Sequence, residues 1–199
     1  MNKQTTKPRR KFAVADTHFF HARIIEFGRP FKSMEDHNET IIRNWNDTVL
    51  PEDKIYVLGD CVFGGGENFK IFERLNGEKH LILGNHDAKK RAYYEPYFKA
   101  VEAYAEMRFH DGTALLSHMP VHPSQMAKRY AINIHGHVHA KTIMSVQFPG
   151  SDKFENEVED TRYFNVSLEN INYRPILIDE IRRIRKSRFT GQTQTVDAD

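Results

Sequence analysis

Five short apolar runs, each stopped by a small or polar residue, set the rhythm of this chain. Phe12 to Ala15 ends at Asp16, Ile55 to Leu58 runs into Gly59-Asp60, and Leu81 to Leu83 stops at Gly84. Thr113 to Leu116 leads to Ser117-His118, and Ala131 to Ile134 leads to His135-Gly136-His137-Val138-His139. Continuous apolar runs of this length suit strands buried on both faces. The intervals carry helical spacing. Ser33 predicts an N-cap for a helix with Ile41, Ile42, Trp45 and Val49 on one side, ended by Pro51. Asn68 to Leu75 predicts a helix with Phe69, Phe72 and Leu75 together, and Ala88 to Phe98 another. Val101 to Phe109 reads as an edge strand joined by the hairpin signal Asp111-Gly112 to the return strand at Thr113. Pro120 and Pro123 bracket a loop, and residues 149–161 read as a polar surface excursion. Tyr163 to Leu168 and Pro175 to Ile178 are strand-like, and a last helix runs from Asp179-Glu180 to the basic cluster ending at Arg188. Strands alternating with helices predict an α/β domain.

The length of 199 residues holds one domain with a substantial core and is short for two. The expected partition is a flexible basic arm over 1–10, a single domain over 11–188 and a disordered tail over 189–199. Lys plus Arg number 29 against 27 Asp plus Glu, a balance that argues against a dedicated polyanion binder. Cys61 is the only cysteine, which excludes an intramolecular disulfide and a thiolate metal cage. The polar start lacks an apolar signal core, and no apolar run approaches a membrane span. The expectation is a soluble, cytoplasmic protein with no membrane partner; oligomeric state is not legible.

The eleven histidines change the picture, because most sit beside predicted strand ends. In open α/β sheets the crevice outside the carboxyl ends of the strands is where ligands bind. Here those ends offer Asp16 with His18, then Asp60, then Asn85-His86-Asp87, then His118, then His137 with His139. One histidine after one strand is an ordinary polar loop residue, but five such ends together point to a site. Two divalent ions held ~3.5–4 Å apart need a shared carboxylate and neutral as well as anionic ligands. Imidazole nitrogens with Asp and Asn oxygens suit manganese, iron or zinc. Asp16-x-His18 and His137-x-His139 read as pincers, the alternate residues turning to one face as they do along a strand. Asp87 has two readings, orienting His86 or capping the following helix.

The series Asp16-x-His18, Gly59-Asp60, Gly84-Asn85-His86-Asp87, His118 and Gly136-His137-x-His139 resembles the calcineurin-like metallophosphoesterase superfamily, with all five motifs in that family's order. The resemblance implies a four-layer α-β-β-α sandwich with a dinuclear metal site at the strand ends. It implies that Asp16, His18 and His139 hold one ion, that Asn85, His118 and His137 hold the other, and that Asp60 bridges them. A hydroxide between the ions would be the nucleophile. His86 would face the substrate and protonate the leaving oxygen, a role that suits an imidazole because it titrates near neutrality. Small bacterial and phage-type members resemble the run Asp16-Thr17-His18-Phe19-x-His21, which implies a substrate-side role for His21.

The function expected on these grounds is hydrolysis of a phosphoester. Phosphoprotein phosphatases of the superfamily follow their Gly-Asp with Asp-Arg-Gly, whose arginine grips the phosphate dianion. Here Cys61, Val62, Phe63 and three glycines follow, with no arginine until Arg74. A diester carries one charge, which two ions neutralise unaided, and Phe19, Phe20 and Phe63 are expected to flank the pocket with apolar surface. The expectation is therefore a phosphodiester or small nucleotide-like substrate. The alternative is a nucleic-acid-processing enzyme that uses the basic ends of the chain. A non-catalytic, protein-binding scaffold of the same fold ranks lower, because all seven ligand positions and His86 are kept.

Overall fold

A computed structural model describes residues 9–126, 129–146 and 157–193. Strands β1 (Lys11–Val14), β2 (Lys54–Val57), β3 (Glu78–Ile82) and β4 (Ala100–Glu102) lie side by side, all parallel. Strand β11 (Ile176–Leu177) closes the far side of β1 antiparallel to it. A second sheet has the order β10-β7-β6-β5, from β5 (Ala105–Phe109), β6 (Gly112–Leu116), β7 (Ile132–His135) and β10 (Tyr163–Asn165). Its β5–β6 pair is an antiparallel hairpin, and its other pairs are parallel. Strands β8 (Met144–Val146) and β9 (Glu157–Glu159) form a separate ribbon. β9 falls within the predicted surface excursion, whose residues 149–156 lie outside the described residues.

One buried cluster takes side chains from both sheets, including Val14, Val57 and Leu81 from the first and Leu116, Ile134 and Phe164 from the second. The sheets also join at the end that matters for function. Ala15 N–H donates to Val166 O at 2.9 Å, and Ala15 bridges to Ser167. The loop after β1 therefore meets the loop after β10, although the two strands belong to different sheets.

Helix α2 (Met34–Thr48) forms as its pattern predicts. The Ser33 hydroxyl accepts the Asp36 N–H at 3.1 Å and caps the first turn. Its buried face carries Ile41, Ile42 and Trp45, and the indole N–H of Trp45 donates to Asn76 O at 2.9 Å. Helix α5 (Ile178–Thr193) packs against β1 and β11. Two of its basic residues, Arg182 and Lys186, both bond Asp111 in the β5–β6 turn, at 2.7 and 3.2 Å. The helix runs on into the tail expected over 189–199, whose residues 194–199 lie outside the described residues. Helices α1 (Arg23–Glu26), α3 (Arg91–Tyr94) and α4 (Pro123–Met126) are single turns. No helix of the described residues is long and apolar enough to cross a membrane.

Three expectations need correction. Residues 66–74 wind as a 3-10 helix rather than an α-helix, though Phe69 and Phe72 are buried as predicted. The helix predicted over Ala88 to Phe98 reduces to a 3-10 turn at Ala88–Lys90 and the single turn α3, which ends two residues before Pro96. Glu95 keeps helical dihedrals, but Pro96 lacks the N–H that would continue the turn. The strand predicted over Val101 to Phe109 is two strands, β4 and β5, and the chain changes sheet between them. Within the arm expected over 1–10, residues 1–8 lie outside the described residues. Arg9 bonds Glu52 O at 2.7 Å and Glu78 at 3.1 Å, and Arg10 pairs with buried Asp53.

Candidate active site

The loops leaving β1 and β2 stay paired after the sheet ends. Asp16 N–H donates to Gly59 O at 3.0 Å, His18 N–H to Asp60 O at 3.1 Å, and Phe19 N–H to Cys61 O at 2.8 Å. This zipper sets Asp16 and His18 beside Asp60. It holds them in an uncommon backbone conformation. Among the described residues, eight non-glycines have positive φ, and five of these are Asp16 (55°), His18 (47°), Asp60 (51°), His137 (72°) and His139 (52°). The left-handed region costs an L-residue roughly 1–2 kcal/mol, and such strain gathers at functional sites. The pincer expectation changes accordingly: both members of each pair turn through left-handed backbone, and the alternation of an extended strand plays no part.

Two glycines let the strand ends close on one another. A Cβ on Gly84 would stand 2.2 Å from Asp60 Oδ1, and one on Gly136 would stand 2.4 Å from the Ala15 Cβ and 2.5 Å from Asp16 Oδ2. With hydrogen there instead, His137 N–H reaches Asp16 Oδ2 at 2.8 Å, and His86 N–H reaches Asp60 Oδ1 at 3.0 Å.

The side chains then fall into two groups. Ligand atoms of Asp16, His18 and His139 lie within 4.8 Å of one another, and so do those of Asp60, His118 and His137. The pair His137-x-His139 is thus divided between the two groups. Asn85 joins the second, its Oδ1 2.9 Å from His118 Nε2, while His118 Nε2 is 3.4 Å from Asp60 Oδ2. His86 belongs to neither group: its ring is half exposed, with Nε2 3.8 Å from Asp60 Oδ2.

The donor set fits divalent cations. Asp16 Oδ1 and His18 Nε2 are buried without a hydrogen-bond partner and stand 3.9 Å apart, a costly arrangement that a cation between them would relieve. The opposite nitrogens of two rings are engaged, His118 Nδ1 by Leu58 O at 2.8 Å and His139 Nδ1 by Glu169 at 3.1 Å. That leaves each Nε2 for a metal. Burial dominates the electrostatics of both groups. Burial pushes the Asp16 carboxyl up to about 6 and the His18 imidazole down to about 2. Burial is the largest single influence at Asp60 and His118 as well and opposes their charge, but their hydrogen bond, their mutual attraction and nearby backbone groups together outweigh it, holding Asp60 at about 2 and raising His118 to about 8.

His21 shares a short contact with His18, Nδ1 to Nδ1 at 3.0 Å, and stacks on Phe63 with ring centroids 3.8 Å apart. Asp87 is fully buried and accepts from the backbone N–H of Asp60 at 2.6 Å, Gly84 at 2.9 Å and Cys61 at 3.3 Å, and from the Tyr94 hydroxyl. It neither caps the following turn nor touches the His86 ring by a hydrogen bond; it ties down the backbone that carries Asp60. Of the three phenylalanines expected to flank the pocket, only Phe63 stands by the histidines. Phe19 is wholly buried in the core, and Phe20 lines a separate hollow with Met34, Ile71 and Arg74. Cys61 packs in the core.

Sequence reasoning does not reach the residues behind the ligands. Ser167 donates its hydroxyl to Asp16 Oδ2 at 2.7 Å. Arg29, 4 % exposed, donates to the carbonyls of Asp16 (2.6 Å) and Thr17 (3.2 Å), to His37 Nε2 (2.9 Å) and to Glu169 (2.8 Å). Because Arg29 only donates, His37 Nε2 must accept, which leaves its Nδ1–H for Asn38 Oδ1 at 3.0 Å. None of these residues belongs to a recognisable pattern, so nothing in the sequence singles them out.

Comparison with known proteins agrees with the fold and the motifs. Residues 11–166 match the calcineurin-like phosphoesterase superfamily domain. Uncharacterized protein MJ1445 of Methanocaldococcus jannaschii is 34% identical over 185 residues, covering 88% of this chain and 91% of that protein. The Gene 66 protein of Mycobacterium phage L5 is 29% identical over 163 residues, covering 66% of this chain and 78% of the phage protein. Among solved structures, the protein of unknown function AQ665 from Aquifex aeolicus superposes with a TM-score of 0.66 at 26% identity, covering 89% of this chain and 100% of that one. With that match running through every strand-end motif from Asp16 to His139, the chain belongs to the calcineurin-like phosphoesterase superfamily.

Proposed function

We propose that this protein is a two-metal phosphoester hydrolase that favours phosphodiesters or small nucleotide-like esters. The observation that supports it most is the pair of ligand groups, one of them containing two buried, partnerless atoms 3.9 Å apart. Asp16, His18 and His139 would hold one ion, and Asn85, His118 and His137 the other. Asp60, whose carboxylate stands by His118 and whose backbone is hydrogen-bonded to that of His18, would serve both. When bound, such a pair would supply an activated water at neutral pH and neutralise the phosphoryl oxygens.

The chain's own residues supply the rest. His86 lies outside both ligand groups, with an exposed ring beside Asp60, and would give its proton to the leaving oxygen. Its backbone is fixed by the Asp60 carboxylate, which sets the ring's distance from the reacting phosphorus. Phe63, 4.9 Å from the His86 ring and stacked on His21, gives the leaving group an apolar wall.

The lean to diesters rests on two arginines that are already engaged. Arg74 is bound to Glu39 through two 2.7 Å hydrogen bonds, and Arg29 is spent on backbone carbonyls, His37 and Glu169. Neither offers a free guanidinium fork to a phosphate dianion. The test is a manganese-loaded comparison of bis-nitrophenyl phosphate with nitrophenyl phosphate at equal concentration. Faster diester hydrolysis is expected; a clear monoester preference overturns the substrate assignment, and no turnover of either overturns the catalytic one.

A further inference from the structure

Behind the first ligand group stands a partly buried ion pair that the ligand motifs do not include. Glu169 Oε1 accepts both from His139 Nδ1 (3.1 Å) and from Arg29 Nε (2.8 Å). Arg29 also grips the carbonyls of Asp16 and Thr17, so a single guanidinium reaches the loop after β1 and, through Glu169, the loop after β7. Glu169 lies in the turn Leu168–Asn170, past the end of the 11–166 stretch that the superfamily domain matches. That same turn is tied to the His139 loop a second time, by Asn170 Nδ2 donating to His139 O at 2.6 Å.

We propose that Glu169, braced by Arg29, is a positioning residue that sets the metal affinity of the Asp16–His18–His139 group and leaves the Asp60–His118–His137 group almost untouched. The inference rests on the two-metal reading above. The reasons are geometric. A carboxylate on His139 Nδ1 fixes the proton there, turns Nε2 towards Asp16 and His18, and makes the ring a stronger donor. The second group is built differently, because His118 Nδ1 bonds a neutral carbonyl, that of Leu58. Arg29 sharpens the contrast. A buried guanidinium this near a cation site repels the cation, and Glu169 is the anion that offsets it. Neutralising Glu169 therefore weakens the orienting bond to His139 and leaves Arg29 uncompensated beside the same group. The two sites are consequently unequal by construction: the half with the carboxylate-backed histidine fills first.

The test is a manganese titration of the metal-free full chain, followed by calorimetry and by the electron-spin signal of the bound ion. Wild type is expected to take up two ions in two steps. Glu169→Gln should weaken the tighter step by roughly 10–100-fold and leave the weaker step within about twofold. Glu169→Asp, which keeps the charge opposite Arg29 and so protects folding, should weaken the same step by less. The inference is overturned if both steps are unchanged in Glu169→Gln. It is equally overturned if both steps weaken alike with a fall in the melting temperature of the metal-free protein, the mark of a purely structural role. Wild type taking up fewer than two ions contradicts instead the two-metal reading beneath it.

Discussion

The carboxylate of Asp87 accepts the backbone N–H of Asp60 at 2.6 Å, so the residue that ends one ligand motif holds the residue at the centre of another. It also takes the N–H of Gly84 and the hydroxyl of Tyr94, all without exposure to solvent. An amide in its place would aim an NH2 at donors. Asp87→Asn should therefore lower stability by roughly 2–3 kcal/mol in urea unfolding, and Tyr94→Phe by about 1 kcal/mol. A loss under about half a kcal/mol for Asp87→Asn would mean that this carboxylate does not hold the site together.

Gly136 makes a second structural prediction. Its added Cβ would overlap Ala15 and Asp16 together, and both are backed by the core. Gly136→Ala should cost roughly 1–3 kcal/mol and disturb metal uptake at the Asp16 group. Unchanged melting and unchanged metal content would show that the two sheets can part at no cost.

Much of this is legible in the sequence, and the legible part has a common cause. Asp16, His18, Asp60, Asn85, His118, His137 and His139 each follow an apolar run or a glycine, so spacing alone places them at strand ends. Arg29 and Glu169 are single charged residues in unpatterned stretches, and only the folded chain brings them together across 140 positions. Apolar spacing from Ala88 to Phe98 suggests one long helix, but the chain makes two short turns instead, and Pro96 lacks the N–H that would continue the second. The break between β4 and β5 leaves no mark, because nothing in a continuous edge-strand pattern says that a chain will leave one sheet for another. Left-handed backbone at both members of Asp16-x-His18 is likewise invisible in residue spacing, since it is imposed by hydrogen bonds to Gly59 and Asp60.

The separation of His86 from the ligand groups predicts a separation of effects. His86→Gln should keep metal content within error of wild type while turnover falls by roughly a hundredfold to ten-thousandfold. The loss should shrink for nitrophenyl esters, whose leaving groups need little protonation. An equal loss across leaving groups would assign His86 to holding the phosphate rather than to proton transfer.

Away from the site, Asp53 predicts a pH dependence. Burial alone would raise its carboxyl, but Arg10 and the Leu50 N–H (2.8 Å) outweigh burial and hold it below the ordinary carboxylate range. A depressed folded-state pKa contributes stability above the unfolded value, near 4, and loses it as pH falls through the folded one. Asp53→Asn should cost roughly 1–3 kcal/mol at pH 7, with the gap to wild type closing below about pH 4. A gap that stays constant from pH 7 to pH 3 would exclude the Arg10–Asp53 pair as its source.

In the proposed two-metal centre one carboxylate, that of Asp60, serves both cation sites. Elemental analysis of manganese-loaded protein tests it most directly, comparing wild type with Asp60→Ala. Wild type should hold two ions per chain and the variant neither, whereas His18→Ala or His137→Ala should each weaken mainly one. Two ions retained by a folded Asp60→Ala protein would contradict it.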